Sequence, residues 1–216
     1  MGVIFDWDGV VIDSSDRHEQ SWELLATELG KPLPTGHFKA GFGKKNQEII
    51  PTILDWSQDA DEIERIGNRK EELYRELVRE HGVHVLPGAR ELLTALREAG
   101  IPRSIGSSTP RANLDSIFSA TGLDELFDAI VSGDDVTNGK PAPDVFLLAS
   151  SRLAIPPAQC VVIEDAHVGI EAAHRAGMKV LAVATTNRLA DLTRADAAVA
   201  SLETVTPEFL RHMLAA

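Results

Sequence analysis

The sequence of 216 residues is short of cysteine, of aromatic residues and of positive charge. Cys160 is the single cysteine, which excludes an intrachain disulfide and a cysteine-based metal cluster. It begins the apolar run CVVI, so we expect a buried thiol. The 21 lysine and arginine residues against 33 acidic ones give a formal net charge of -12. That charge disfavours nucleic acid and anionic membrane surfaces as partners, and any anionic substrate would need a locally positive site.

Long hydrophobic runs are also missing. No apolar stretch is long enough to span a bilayer. The first residues lack the charged start and the small-residue cleavage site of a signal peptide. We therefore predict a soluble cytoplasmic protein, and the length suits one large domain or a domain with a modest insert.

Short apolar runs alternate with helical patterns along most of the chain. The runs at 2–5, 103–106, 129–132, 160–163, 179–183 and 197–200 are mostly rich in valine and isoleucine and lack strict alternation. That pattern is typical of parallel strands covered on both faces, and the run that begins with Arg103 fits it least well. Apolar stripes at 89–96, 114–118 and 170–176 indicate helices that end at glycines. The alternation predicts an α/β fold with an open parallel sheet.

The alternation stops between residues 15 and 84, where we find helices and loops but no convincing strand. Trp22, Leu25 and Leu29, for example, share one helical face. We therefore predict a Rossmann-like core of residues 1–14 and 85–216 with an inserted helical cap of residues 15–84. An insert placed just after a strand's carboxyl end lies over the edge where open α/β sheets bind ligands, so we expect it to be a lid.

Two aspartates one residue apart, Asp6 and Asp8, follow the first apolar run and precede Gly9. Residues two apart in a strand point to the same side, so the two carboxylates can surround one point as the chain leaves the strand. Two anions held that close need a cation, and all-oxygen ligands suit Mg²⁺. The alternative is a pair of solvated loop acids or a helix cap.

Acidic and basic side chains follow two more of the predicted strands. Glu164 and Asp165 end the strand that begins at Cys160, so they can converge with the first acid pair, although Asp165 could instead cap the next helix. Lys140 lies in the sequence NGKPAPD, where two prolines stiffen the backbone and hold the lysine in a fixed direction. A solvated lysine is the alternative.

Hydroxyl side chains follow a fourth strand. Ser107, Ser108 and Thr109 end the run that begins at Arg103, just before a predicted helix. Hydroxyls and backbone N–H groups at a helix N-terminus bind phosphate well. Ordinary N-capping by Ser108 or Thr109 is the alternative.

The order of these strand ends resembles that of the haloacid dehalogenase superfamily. Residues 6–9 resemble its DxDG motif, residues 104–108 its strand that ends in serine or threonine, residues 139–144 its lysine motif and residues 161–173 its acidic motif. The insert resembles the small helical cap of the family. The resemblance covers the whole core and implies a Rossmann-like fold.

The resemblance also implies a reaction. Asp6 would be the nucleophile that attacks a phosphoryl group and forms an aspartyl-phosphate, and Asp8 would be the general acid and base. Family members that cleave carbon–halogen or carbon–phosphorus bonds lack an aspartate at the position of Asp8. The presence of Asp8 therefore favours phosphate-ester chemistry.

The remaining motif residues would bind the metal and the phosphoryl group. The resemblance implies that Mg²⁺ is held by a side-chain oxygen of Asp6, the backbone carbonyl of Asp8 and the side chain of Asp165, with Glu164 in support. The groups implied for the phosphoryl oxygens are Ser107, the backbone around Ser108, and Lys140. Metal and lysine together would let an anionic nucleophile approach an anionic substrate.

Within the superfamily the sequence is most similar to β-phosphoglucomutase and to the sugar-phosphate phosphatases that share its cap. His18 matches a histidine of the mutase closure machinery, with a surface histidine as the alternative. Lys44, in the stretch 41–46, stands where the mutase cap has an arginine that grips a distal phosphate, and lysine cannot form the same bidentate fork. A solvated loop is the alternative there. Arg111 could also face a distal anion.

We therefore expect a Mg²⁺-dependent phosphatase that acts on a small phosphorylated metabolite, with a sugar phosphate as the expected class. The alternative is a β-phosphoglucomutase that interconverts β-glucose 1-phosphate and glucose 6-phosphate. A non-catalytic phosphate-binding protein is a more distant alternative, and the intact set of motif residues argues against it. Because the fold supplies its own lid, we expect a monomer.

Overall fold

Residues 1–41 and 44–215 are described by the computed structural model. Its strands are β1 (Gly2–Phe5), β2 (Ile12–Asp13), β3 (His84–Val85), β4 (Arg103–Gly106), β5 (Ala129–Val131), β6 (Cys160–Glu164), β7 (Lys179–Val183) and β8 (Ala197–Val199). Six of them form one parallel sheet in the order β5-β4-β1-β6-β7-β8. Strand β1 is inside this sheet, with Val3 opposite both Arg103 and Val161. The predicted α/β, Rossmann-like fold is confirmed.

Helices connect the strands and also form the insert. They are α1 (Ser15–Leu29), α2 (His37–Gly41), α3 (Asn46–Ile49), α4 (Ala60–His81), α5 (Ala89–Glu98), α6 (Arg111–Thr121), α7 (Asp144–Arg152), α8 (His167–Arg175) and α9 (Pro207–Ala215), with a π-helical segment at Ile50–Leu54. Helices α1 to α4 lie in the predicted insert. In the described ranges, every helix is too short or too polar to cross a membrane.

Both faces of the sheet are buried, which explains why its strands read as continuous apolar runs. On one face, Val3 and Phe5 pack with apolar residues of α5, α6 and α9. On the other face, Ile4 packs with apolar residues of α7 and α8, including Phe146 of α7. The thiol of Cys160 is buried in this second layer, as expected.

The insert has an apolar cluster of its own. Trp22 and Leu25 of α1 pack there with Ile66 and Leu73 of α4. Helix α4 also contributes Tyr74 to the main core, so this helix belongs to both clusters. The boundaries of the insert at residues 15 and 84 stay a prediction.

The expectation that residues 15–84 hold no strand is wrong at one end. His84 belongs to β3, which pairs with β2 in a two-stranded antiparallel ribbon, with Ile12 opposite Val85. Two residues per strand are too few to show a period in the sequence. The ribbon joins the two chain segments that enter and leave the insert.

The run that begins at Arg103, which fitted the strand pattern least well, does form a strand, because hydrogen bonds satisfy its buried charged side chain. Its guanidinium donates to the backbone carbonyls of Leu126 (2.7 Å) and Ile101 (3.1 Å) and pairs with Asp128. A buried guanidinium with several acceptors avoids most of the cost of desolvation.

Candidate active site

A cavity of about 590 Å³ lies between the carboxyl ends of β1, β4 and β6 and the helical insert. It is lined by most of the residues that the sequence singled out, which come from separate parts of the chain. They are Asp6, Asp8, His18, Lys44, Ser107, Ser108, Lys140, Glu164 and Asp165. The strand ends that we expected to converge therefore meet at one site.

A cluster of three buried carboxylates lies at the base of this cavity. Oxygen atoms of Asp6, Glu164 and Asp165 all lie within 4.8 Å of one another. Lys140 contacts two of these carboxylates, with Nζ 2.9 Å from Asp6 Oδ1 and 2.7 Å from Glu164 Oε1. Among the described residues, three carboxylates against one ammonium leave two negative charges uncompensated. The buried Oδ1 of Asp165 also has no hydrogen-bond partner in this part of the chain.

The composition of the cluster fits a hard divalent cation. Its donors are carboxylate oxygens, which are the ligands that Mg²⁺ prefers. Burial raises the pKa of Asp6 and of Asp165, and the neighbouring carboxylates raise both further, although Lys140 opposes the shift. A bound cation would favour the charged carboxylates and remove this cost.

Glu164 supports the cluster from behind. Its Oε2 accepts hydrogen bonds from the backbone N–H groups of Asp165 (2.7 Å) and Ala166 (2.6 Å), while Oε1 accepts from Lys140. Helix α8 passes so close that a Cβ on Gly169 would lie 1.6 Å from Glu164 Oε1. Both carboxylate oxygens are therefore occupied, which suits a supporting residue more than a direct metal ligand.

Asp165 faces the cluster and does not cap helix α8, which begins only at His167. The Thr186 hydroxyl donates to Asp165 Oδ2, and the Asn187 amide donates to the Asp165 backbone carbonyl (2.9 Å). Gly9 lies against it with a φ of +79°, and a Cβ there would be 2.1 Å from Asp165 Oδ2. The roles of Thr186 and Asn187 could not be predicted from the sequence, because isolated polar residues in a loop carry no signal.

Asp8 has a different environment from Asp6. The hydroxyls of Ser14 and Thr109 donate to its two carboxylate oxygens, and His18 Nε2 lies 3.7 Å from Oδ1. Burial alone would raise the pKa of Asp8, but His18, Ser14 and Thr109 lower it to about 2. The Asp8 carboxylate is thus held by hydroxyl donors, whereas the Asp6 carboxylate belongs to the acidic cluster.

The hydroxyl run after β4 does not cap the next helix. Helix α6 begins at Arg111 with Pro110 at its N-cap and no side-chain cap, so capping by Ser108 or Thr109 is wrong. The buried Ser107 hydroxyl instead accepts from the N–H of Thr109 (3.0 Å). Ser107 and Ser108 line the cavity, and the Ser107 hydroxyl, which accepts this bond, can still donate one of its own.

His18 is part of the cavity wall, not a surface histidine. Its Nδ1 lies 2.7 Å from Lys70 Nζ, and its ring stacks on Tyr74 with 4.0 Å between centroids. Lys70 is only 3% exposed and pairs with Glu71 at 3.1 Å. The position of Lys70 could not be predicted from the sequence, because a lysine in a helix usually extends to solvent.

The two other cationic residues proposed for a distal anion differ in position. Lys44 lines the cavity, where its ammonium pairs with Glu48. Positions 42 and 43 of the stretch that contains it lie outside the described residues. Arg111 is not among the described residues that line the cavity, and its guanidinium pairs with Asp115 on the same helix (2.7 Å), so its contact with a distal anion stays a prediction.

Comparison with protein families matches residues 1–177 to the haloacid dehalogenase-like hydrolases. The chain is 36% identical over 206 residues to a 5-amino-6-(5-phospho-D-ribitylamino)uracil phosphatase of Arabidopsis thaliana. That match covers 94% of this chain and 55% of the relative, so the chain spans about half the length of that protein. It is also 32% identical over 181 residues to a phosphorylated carbohydrates phosphatase of Thermotoga maritima, with 82% of each chain covered.

Solved structures point to the same family. A β-phosphoglucomutase from Clostridium difficile superposes with a TM-score of 0.87 at 26% identity, over 99% of this chain and 96% of the mutase. The predicted enzyme class, a phosphoric monoester hydrolase, agrees with the phosphatases among the relatives. The sheet order, the converging motifs and the match over residues 1–177 lead to one conclusion: the chain belongs to the haloacid dehalogenase-like hydrolases.

Proposed function

We propose that the protein is a Mg²⁺-dependent phosphatase that hydrolyses a small sugar or polyol phosphate through an aspartyl-phosphate on Asp6. The observation that supports this proposal most directly is that the two aspartates after β1 lie in different environments. Asp6 lies in the carboxylate cluster beside Lys140, whereas Asp8 lies among hydroxyls and His18. Both line the same cavity, so a nucleophile and an acid–base group can act on one phosphate.

Asp6 and Asp165 would hold Mg²⁺ by side-chain oxygens, and the backbone carbonyl of Asp8 would complete the protein ligands. Glu164 would keep Lys140 and the backbone after β6 in place, as its hydrogen bonds indicate. When bound, the ion neutralises the negative charge shared by the phosphoryl group and the attacking carboxylate.

In the first half of the reaction, a carboxylate oxygen of Asp6 attacks phosphorus while the ester P–O bond breaks. Lys140, 2.9 Å from Asp6, and the Ser107 hydroxyl bind the phosphoryl oxygens. The leaving oxygen takes a proton from Asp8. The pKa of Asp8 is low without substrate. A phosphate dianion bound beside it would favour the protonated carboxyl, because like charges repel.

In the second half, Asp8 takes a proton from a water molecule, whose oxygen attacks the phosphorus of the aspartyl-phosphate. The bond between phosphorus and Asp6 breaks, which releases inorganic phosphate and restores the carboxylate. The hydroxyls of Ser14 and Thr109 hold Asp8 in one orientation for this step.

The cavity and the relatives support the substrate class. A volume of about 590 Å³ suits a small metabolite. One relative is named for phosphorylated carbohydrates and another for a phosphoribityl compound, and both names describe phosphate esters of hydroxylated carbon chains. Lys44 at the insert side of the cavity would contact a second anionic group of such a substrate.

A β-phosphoglucomutase is the second candidate, because the solved mutase matches this chain over nearly its whole length. A mutase must hold the distal phosphate firmly while its substrate reorients. Lys44 offers a point charge that already pairs with Glu48, and it cannot grip phosphate with two parallel hydrogen bonds. Hydrolysis is therefore the preferred function.

The test is ³¹P NMR of the protein with Mg²⁺, β-glucose 1-phosphate and a trace of glucose 1,6-bisphosphate, followed by a panel of sugar and polyol phosphates. We expect free phosphate from at least one ester, no turnover by Asp6→Asn, and normal turnover by the control Asp115→Asn on the surface of α6. Glucose 6-phosphate that appears faster than phosphate would identify a mutase. No turnover of any ester would refute both functions.

A further inference from the structure

Helix α4 carries a buried ion pair, Lys70 and Glu71, that the proposed reaction does not use. Lys70 is 3% exposed and Glu71 is 9% exposed, and their charged atoms are 3.1 Å apart. Burying two charges costs free energy unless further hydrogen bonds satisfy them. The partners of this pair therefore indicate what it is for.

Glu71 is held from both the insert and the core. Its Oε1 accepts a hydrogen bond from Asn46 (2.7 Å) and its Oε2 accepts one from Asn113 of α6 (2.5 Å). Asn113 is fully buried, and its Oδ1 accepts from Arg75, one turn further along α4 (2.9 Å). The nitrogen and the oxygen of the Asn113 amide therefore both bond to side chains of α4, which fixes α4 against α6 at this point.

Lys70 connects the same pair to the active site. Its Nζ lies 2.7 Å from His18 Nδ1, and it also lies over the rings of Trp22 and Tyr74, 5.5 and 5.4 Å from their centroids. An ammonium group can only donate, so Nδ1 of His18 must accept and the ring proton must be on Nε2. That nitrogen faces Asp8 Oδ1 at 3.7 Å.

We propose that Glu71 is a positioning residue for the acid–base chemistry of Asp8. Its charge keeps Lys70 in place as the donor to His18, and His18 thereby presents an N–H group to Asp8. Because Asn113 of α6 bonds to Glu71, this arrangement depends on the packing of α4 against the core. The inference rests on the role of Asp8 in the proposed function.

The charge of Glu71 is the feature that matters, and not only its contact with Asn113. Without that charge, the Lys70 ammonium loses the carboxylate that pairs with it among the described residues, and we expect it to turn away from His18. The tautomer of His18 is then no longer set, and Asp8 loses a donor that faces it. A contact that only docked the two helices would have no such effect on His18.

Two variants separate the charge from the docking contact. Glu71→Gln keeps the size of the side chain and removes its charge. Combining it with Asn113→Asp reverses the donor and the acceptor, so the glutamine amide donates to the new carboxylate and the docking hydrogen bond is rebuilt. Glu76→Gln is the matched control, because Glu76 lies on the exposed side of the same helix, paired with Arg69.

Turnover is measured on the best ester of the phosphate panel. For Glu71→Gln we expect kcat to fall about tenfold with KM nearly unchanged. A positioned acid–base group accelerates a reaction roughly 10²–10⁴-fold, and this variant would lose only a part of that acceleration. The double variant should stay at the kcat of the single variant, and Glu76→Gln should match the wild type. Recovery of the wild-type kcat in the double variant would show that Glu71 only docks the helices, and would overturn the proposal.

Long-range ¹H–¹⁵N NMR of the histidine rings gives a readout that needs no turnover. The His18 signals, assigned by their loss in His18→Asn, should show the proton on Nε2 in the wild type and a mixture of tautomers in Glu71→Gln. A wild-type proton on Nδ1, or identical spectra for the two proteins, would overturn the proposal. A wild type that hydrolyses no ester yet shows the expected spectra would refute the proposed function alone.

Discussion

Gly169 lies in helix α8, where alanine in place of glycine ordinarily stabilises a helix by about 1 kcal/mol. Here the new Cβ would be 1.6 Å from Glu164 Oε1 and 2.0 Å from Glu164 Cδ. Real Cβ atoms do not approach other atoms so closely, so the Glu164 carboxylate has to move. It is buried at the end of strand β6, and both of its oxygens already accept hydrogen bonds that a movement would break.

The cost follows from the hydrogen bonds that Glu164 makes in its present position. It accepts from Lys140 and from the N–H groups of Asp165 and Ala166, at 2.7, 2.7 and 2.6 Å. Hydrogen bonds to charged groups contribute about 1.5–3 kcal/mol each, so the loss of one or two of them outweighs the helix preference. We expect Gly169→Ala to lower the free energy of unfolding by about 2–4 kcal/mol.

Urea denaturation measures this change, and phosphate release measures its effect on turnover, which should fall with the displaced Lys140. Gly67→Ala in α4 is the matched control. Its Cβ would meet Asn46 Cβ at 3.2 Å, a contact that a small shift relieves, so we expect a change of less than about 1 kcal/mol. A Gly169→Ala protein as stable as the wild type would refute the close packing of α8 on Glu164.

Three further predictions concern the metal, the insert and acid stability. EDTA should abolish phosphate release, and excess Mg²⁺ should restore it. Lys44→Ala should raise KM about fivefold for a substrate with a second anionic group and leave kcat nearly unchanged in steady-state assays, since a half-exposed ion pair contributes about 1 kcal/mol. The pKa of Glu71 is lowered from 4.5 to about 2, because the charges and amides around it outweigh the effect of burial. Its stabilisation is therefore present above about pH 4.5 and lost as the pH falls toward 2. Urea denaturation should show a steeper loss of stability between about pH 4.5 and pH 2 for the wild type than for Glu71→Gln.

The strand ends could be predicted because their signals are local. An apolar run that stops at a carboxylate or a hydroxyl indicates both a strand and the polar side chain at its end, as at Asp6, Ser107 and Glu164. Parallel strands bring their carboxyl ends to one edge, so convergence of these residues follows from the fold. The short run that begins at Arg103 looked doubtful only because its acceptors, such as the carbonyl of Leu126, lie elsewhere in the chain.

The contacts between insert and core could not be predicted in the same way. Lys70 and His18 are 52 positions apart, and Glu71 and Asn113 are 42 apart. Each of these residues suits an ordinary helix surface when read alone. Which face of α4 turns toward the core depends on packing around Tyr74, which belongs to the main apolar core, and no local pattern shows that choice.

The central claim is that Asp6 carries the phosphoryl group during turnover. Asp8→Asn removes the base that the second half of the reaction needs. With 4-nitrophenyl phosphate, whose leaving group needs no proton, the first half can still proceed, so this variant should accumulate the intermediate. Incubation with Mg²⁺ and this ester, acid quenching and peptide mapping by mass spectrometry should find one added phosphoryl group on the peptide that contains Asp6. The Asp6→Asn protein should carry none and release no phosphate. Phosphate release by Asp6→Asn, or a phosphoryl group on another residue, would contradict the account.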